Sequence, residues 1–363
     1  MSIRHQIALT FINSVGHVHA KNLLDHFGSA EAVFTASPAA LMEVPGIGNV
    51  IAGEILKTNA LKLADEQLSF IERHNVQVLF YTDEAYPHRL RNCFDAPVLL
   101  YYKGNADLNH PRIISIVGTR KATEYGRQLC KQLCEALAAY DVLVVSGLAY
   151  GIDVAAHKES LHQNIPTVGV LAHGLERIYP PLHQPIAQKM VLNGGLLTEF
   201  PLNTIPIKEN FPQRNRIIAG LSDATIVIEA AAKGGALITA EIANSYNRDV
   251  YAFPGRTTDT SSQGCNFLIR TNRAGLISNA KDLIYNLGWE ETLQHKKAGQ
   301  RQMPIGLSAE EQRIVELLKM SPVRIDELSI QCGLSQSQLA MHLLSLEMQG
   351  ILVSLPGKVY QLN

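Results

Sequence analysis

Ile113-Ile114-Ser115-Ile116-Val117-Gly118-Thr119-Arg120 opens as an apolar run interrupted only by Ser115 and ends in a glycine turn followed by a cation. A run without polar alternation is how a strand covered on both faces reads, and such strands belong to parallel sheets with crossover helices. Runs of the same texture follow at 142–146, 167–172, 196–200, 225–229 and 250–254. Between them lie helix-like segments at 125–139, 153–162, 185–192, 211–221 and 236–246. This order predicts a doubly wound, Rossmann-like α/β domain over 76–289, with strand-like pieces at 76–81 and 98–102 adding structure at its edge.

On the amino-terminal side, residues 1–75 read as short helices with breaks at Gly16, Gly28, Ser37-Pro38 and Val44-Pro45-Gly46-Ile47-Gly48. The segment is expected to form a helical domain of the SAM or helix-hairpin-helix kind. The backbone N–H groups of such a hairpin can meet a phosphate, yet only Lys57 and Lys62 follow closely, so a packing hairpin is the expectation. On the other side, 290–306 carries Glu290-Glu291, Lys296-Lys297 and Pro304 without periodicity and reads as a linker. Residues 307–363 form a third unit. Ser308 is placed to cap a helix reaching Lys319, a second helix covers 325–331, Ser335 caps a third, and 351–362 turns at Pro356-Gly357 as a hairpin. Three helices and a hairpin predict a winged helix.

The chain of 363 residues is 46% apolar and 18% charged, which excludes a disordered polymer and a fibrous repeat. Lys and Arg number 32 against 33 Asp and Glu, a formal charge of -1, so affinity for a polyanion has to come from local geometry. In the winged-helix region Arg313, Lys319, Arg324 and Lys358 face six acids, and 335–349 contains no Lys or Arg. That balance argues against groove reading, which draws most of its affinity from cations, and favours a protein-contact or regulatory role. Cys93, Cys130, Cys134, Cys265 and Cys332 have neither C-x-x-C nor zinc spacing and are expected to be buried free thiols of a reducing, cytoplasmic interior. No metal or cofactor is expected. The apolar stretch 7–12 is too short for a signal peptide, and no uncharged run approaches the ~20 residues that cross a bilayer.

In an open parallel sheet, ligands bind beyond the carboxyl ends of the strands. The glycines fall there: Gly118-Thr119-Arg120-Lys121 after the first strand, Ser146-Gly147 after the second, Gly174 after the third and Lys233-Gly234-Gly235-Ala236 after the fifth. Arg120 beside a glycine turn and a helix start supplies directed hydrogen bonds to phosphate oxygens. A phosphate-bearing ligand and ordinary turns with a solvated arginine both satisfy this spacing. Phe211-Pro212-Gln213-Arg214-Asn215-Arg216 adds two arginines and an amide at a helix start, with Arg270 and Arg273 weaker candidates. Signatures of P-loop, dinucleotide-fingerprint, zinc-protease and serine-hydrolase chemistry are missing, and no catalytic residue is assigned. His157, His173 and His183 are expected to be structural or surface residues, and Asp153 to cap its helix.

These stretches, together with Ser146-Gly147-Leu148-Ala149-Tyr150-Gly151-Ile152-Asp153 and Leu237-Ile238-Thr239-Ala240, resemble the DNA processing protein A (DprA, or Smf) family over about 80–285. The resemblance implies a single-stranded DNA binder of natural transformation that protects incoming strands and loads the RecA recombinase. It also implies a homodimer through the Rossmann-like domain. By position, Gly118, Thr119 and Arg120 match the family's phosphate pocket, Ser146 and Gly147 its second loop, and Arg214, Asn215 and Arg216 its basic helix start. Thr119 stands where Ser is commoner, and Gly234-Gly235-Ala236 where Ser-Gly-Ser is usual, leaving backbone donors there beside Lys233. The expected mechanism is that backbone amides with Arg120, Lys121, Arg214 and Arg216 hold successive phosphates while the bases stay accessible. The competing expectation is an enzyme. Residues 233–241 distantly resemble nucleoside-monophosphate phosphoribohydrolases, in which Glu241 would stabilise an oxocarbenium-like state.

Overall fold

The computed structural model describes residues 2–289, 307–319, 321–355 and 359–362. The expected linker 290–306 and the Pro356-Gly357 turn lie outside the described residues. The chain divides into two compact units, Met1–Glu291 and Thr292–Asn363.

The first unit begins with α1 (Ile3–Leu9), α2 (His17–Phe27), α3 (Ala30–Thr35), α4 (Pro38–Met42), α5 (Asn49–Lys57) and α6 (Ala60–His74). Leu9, Leu23, Leu41 and Ile55 fill their common interior. Between α4 and α5 the chain turns at Gly46 with φ +86°, Asn22 donates to the Pro45 carbonyl at 3.0 Å, and Ile47 is buried. The turn is therefore tied into the helical core. That core continues into Val76, Phe80, Leu99 and Tyr101, so the helices pack on β1 (Gln77–Phe80) within the same unit.

After α7 (His88–Arg91) the chain alternates: β2 (Leu99–Gly104), β3 (Ile113–Val117), α8 (Glu124–Leu137), β4 (Leu143–Ser146), α9 (Ile152–His162), β5 (Thr167–Val170), α10 (Gln184–Leu192), β6 (Gly194–Thr198), α11 (Asn210–Leu221), β7 (Ala224–Val227), α12 (Gly235–Ser245), β8 (Asp249–Ala252), α13 (Gln263–Arg270), β9 (Gly275–Leu276) and α14 (Ala280–Asn286). The sheet order is β1-β2-β6-β5-β4-β3-β7-β8-β9. The strands from β6 to β9 pair in parallel, while β1 and β2 form the antiparallel edge. Every residue of β3, β4, β5 and β7 is buried, because helices cover both faces. The one hydroxyl in β3, Ser115, donates to Thr225 of β7 at 2.8 Å, which removes its burial cost. The expected 196–200 strand is shifted to Gly194–Thr198, and Gly195 within it is required by contact, because the Tyr102 ring lies where a side chain would be.

The second unit holds α15 (Ala309–Leu318), β10 (Val323–Arg324), α16 (Ile325–Cys332), α17 (Gln336–Met348), β11 (Leu352–Leu355) and β12 (Val359–Leu362). Ser308 and Ser335 each form a reciprocal capping box with the residue three positions on. Gly333 ends α16 at φ +69°. Ile314, Leu328, Leu339, Leu343 and Leu346 pack under the β10-β12-β11 sheet, giving a winged helix.

One glycine decides how the sheet meets α9. Gly151 has φ +80°, and a Cβ there would stand 2.1 Å from the Thr119 carbonyl oxygen, so strain and overlap act together. Gly151→Ala is expected to lower unfolding free energy by about 2–4 kcal/mol, measured as a shift in denaturant midpoint at unchanged slope.

Candidate nucleic-acid interface

The chain builds outward from β3 through β4 and β5 to β6, then returns to lay β7 on the other side of β3. The two loops that leave β3 and β7 therefore diverge, and a crevice opens between them. Thr119 N–H donates to the Glu229 carbonyl at 2.7 Å and its carbonyl accepts from Ile152 N–H at 3.1 Å, pinning the β3 loop between β7 and α9. Glu229, almost fully buried, accepts from Thr123 N–H at 2.9 Å and the Thr123 hydroxyl at 2.7 Å, which fixes the start of α8. Gly118 is required by contact: a Cβ would meet Ile152 Cγ1 at 2.5 Å.

The resulting concavity holds about 640 Å³. Gly118, Thr119 and Arg120 line one wall, Lys233, Gly234 and Gly235 another, and Arg214 and Asn215 a third. Gly234 caps α12 without a side-chain acceptor and lines the space together with Gly235, so a helix start, whose first N–H groups lack intrahelical partners, borders it. Such N–H groups favour an anion. Arg120 is exposed, with Cζ 5.0 Å from the Phe211 ring centroid. The ring holds the guanidinium over the opening without consuming its hydrogen-bond donors.

Arg214 differs from Arg120. Only 4% exposed, it donates to the Val170 carbonyl and to Asn215 Oδ1, the latter at 3.2 Å. Burial pulls its guanidinium down to about 10, partly offset by Asp153, so it remains a cation at neutral pH. Burial raises the Asp153 carboxyl, opposed first by Arg214 and then by hydrogen bonding from Ala149. The two meet across Gly147, whose Cβ would lie 2.4 Å from Asp153 Oδ2 and 2.6 Å from Arg214 Nη2.

Several expectations are corrected. Arg216 does not face the concavity: positions two apart on a helix point in nearly opposite directions. Its guanidinium bonds the Asp95 carbonyl and the Glu199 carboxylate instead. Glu199 is itself raised to about 7, by burial against the pull of Arg216. Ser146 is fully buried and donates to the Ile116 carbonyl at 2.6 Å, so it and Gly147 shape the floor from beneath. Lys121 is exposed beside the wall but outside the lining. Asp153 is not a cap; Gly151 holds that position and Asp153 sits in the first turn against Arg214. Arg273 pairs with Glu241, both about half exposed and outside the lining, which leaves the hydrolase expectation without its carboxylate in the crevice. His157 is structural, bonding the Thr167 hydroxyl at 2.7 Å and the Gly147 carbonyl at 2.5 Å. All five cysteines are buried. Among the described residues no cluster of His, Cys, Asp or Glu is arranged to hold a metal, and no helix is long and apolar enough to cross a membrane.

Sequence reasoning missed Lys208, Tyr179 and the stacking role of Phe211, all in the lining. Lys208 lies three positions before Phe211 and was readable as a cation ahead of the helix. Tyr179 arrives from the β5–α10 connection, and no local spacing signals it.

Architecture and site thus define a Rossmann-like protein with a cation-lined crevice at the point where strand order reverses, joined to a hairpin-containing helical module and a winged helix. Residues 77–288 match the family model for DNA recombination-mediator protein A, 298–358 the DprA winged helix domain and 7–62 a helix-hairpin-helix motif. Protein Smf of Synechocystis sp. is 34% identical over 98% of this chain and 97% of its own. The structure of DNA processing protein A from Streptococcus pneumoniae superposes with a TM-score of 0.66 at 28% identity, covering 78% of this chain and 98% of that one. The counterpart from Helicobacter pylori, described for its single-stranded DNA binding mode, gives 0.54 at 30% identity over 59% and 96%. The chain belongs to the DprA/Smf family of DNA processing proteins.

Two consequences separate packing from binding. Arg216→Ala strands Glu199 in the interior and is expected to cost about 3–5 kcal/mol of stability, read by denaturant unfolding. Burial takes the His157 imidazole down to about 4 from an ordinary 6.5, so the unfolded chain binds its proton first as pH falls. Stability is expected to decline from pH 6.5 toward 4, and His157→Gln to flatten that part of the profile.

Proposed function

We propose that this protein binds single-stranded DNA by its phosphates in the crevice at the carboxyl ends of β3 and β7. The observation that carries the reading is the convergence there of Arg120, Lys208, Arg214 and Lys233 with the uncapped start of α12. Phosphate contacts carry no base identity, so binding is indifferent to sequence and leaves base edges accessible. Gly118, Thr119, Gly234 and Gly235 bring the backbone close to the strand, Asn215 adds a polar side chain, and Lys121 extends the positive rim. Arg214 acts from the floor, and Arg120 is the main exposed contact. The Helicobacter pylori relative, described for its single-stranded DNA binding mode, supports single-stranded DNA as the ligand.

In this proposal the protein works in the cytoplasm during natural transformation, protects the incoming strand and loads RecA onto it, as a homodimer formed through the Rossmann-like domain. A strand held by its phosphates presents its bases for takeover by a recombinase. The winged helix serves protein contact rather than groove reading: α17 carries no Lys or Arg, and Met341, Leu344 and Met348 are exposed on it.

Arg120→Ala is expected to weaken single-strand affinity about tenfold and to reduce the slope of log K against log salt by about 0.7. Fluorescence anisotropy with a labelled oligonucleotide across a salt series measures both. Unchanged affinity and slope would remove Arg120 from the interface.

A further inference from the structure

A second concavity, of about 620 Å³, lies between α9 and α10 and shares no lining residue with the crevice. Its apolar surface comes from Leu161, Leu182, Pro185 and Ile186, and it is flanked by Lys158 on α9 and Lys189 on α10. Leu182 is 75% exposed. Neither lysine makes an ion pair among the described residues, and no carboxylate is in the lining. An apolar trough between unpaired cations is half of a complementary surface.

We propose that this groove docks an acidic amphipathic helix of a partner protein, apolar side chains in the trough and carboxylates against Lys158 and Lys189. A trough between two helices suits a helical ligand whose anchors repeat every three or four residues. The charge pattern selects its sign. A second copy of this chain fits poorly, because a two-fold contact through the groove sets lysines against lysines. Nucleic acid fits poorly too, since phosphates gain nothing from an apolar floor. The groove also adjoins the crevice: His183 lines it, bonds the Leu148 carbonyl at 2.9 Å and packs its ring 5.2 Å from Tyr150, beside which Arg120 and Arg214 lie. A partner docked here stands next to whatever the crevice holds.

The probe is a fluorescent amphipathic helical peptide of about 14 residues, leucines on one face and glutamates beside them, with a glutamine-for-glutamate control, titrated against the full chain. The glutamate peptide is expected to bind about tenfold tighter than its control, and Lys158→Glu with Lys189→Glu to abolish that advantage. Leu182→Asp is expected to weaken the same peptide about tenfold. Single-stranded DNA affinity, measured alongside, should stay within about twofold in all variants, which separates this surface from the crevice whether or not the crevice binds DNA. Equal binding of the two peptides, or an unaffected lysine double variant, overturns the proposal. Loss of DNA affinity in the double variant overturns it in favour of a nucleic-acid surface, and conversion of a dimer to monomer by Leu182→Asp overturns it in favour of a second copy.

Discussion

A guanidinium in a dry interior needs acceptors on every side, and Arg214 meets that need at the base of the crevice. Val170 offers its carbonyl where β5 ends, Asn215 its side-chain oxygen, and Asp153 a nearby negative charge. These partners come from β5, α11 and α9, so one side chain holds three elements in register. Gly147 makes this feasible by leaving space between carboxylate and guanidinium. The floor is thus rigid and cationic before any ligand arrives, which is the preorganisation an anion site requires.

The same helix carries a second buried arginine to the opposite side. Arg216 reaches Glu199 at the end of β6 and the Asp95 carbonyl, while Asp95 also accepts from Tyr246. Helix α11 is therefore pinned on both flanks by charge-assisted hydrogen bonds. Phe211 and Arg214 both line the crevice, while Arg216 faces away from it. The spacing of two positions sends Arg214 to the crevice and Arg216 to the Glu199 side of the helix.

Much of this was legible in the sequence. Continuous apolar runs such as 113–117 identified the parallel sheet, and glycines after β3 and β7 marked the edge where the crevice opens, since both features follow from local backbone and burial constraints. Ser308 and Ser335 announced the helices of the winged unit through their capping partners. What was not legible depends on contacts between distant segments. Tyr179 enters the lining from the β5–α10 connection, and Asp153 turns inward because Arg214, far along the chain, waits there. Arg216 is a different case. Its distance of two positions from Arg214 already placed it on another face, so helix geometry, and not a tertiary contact, held the missing information.

Exposure then sorts the remaining cations by role. A buried arginine gains its energy from fixed acceptors and contributes a constant field, whereas an exposed one exchanges water and counterions for ligand oxygens. Arg120 is of the second kind, and its contact with Phe211 limits the freedom it would otherwise lose on meeting a phosphate. Lys208 and Lys233 stand exposed at separate points of the lining without an ion-pair partner among the described residues. With Arg214 as a fixed floor and exposed cations around the opening, the crevice presents positive charge at several separate points, the pattern that a polyanion's backbone complements.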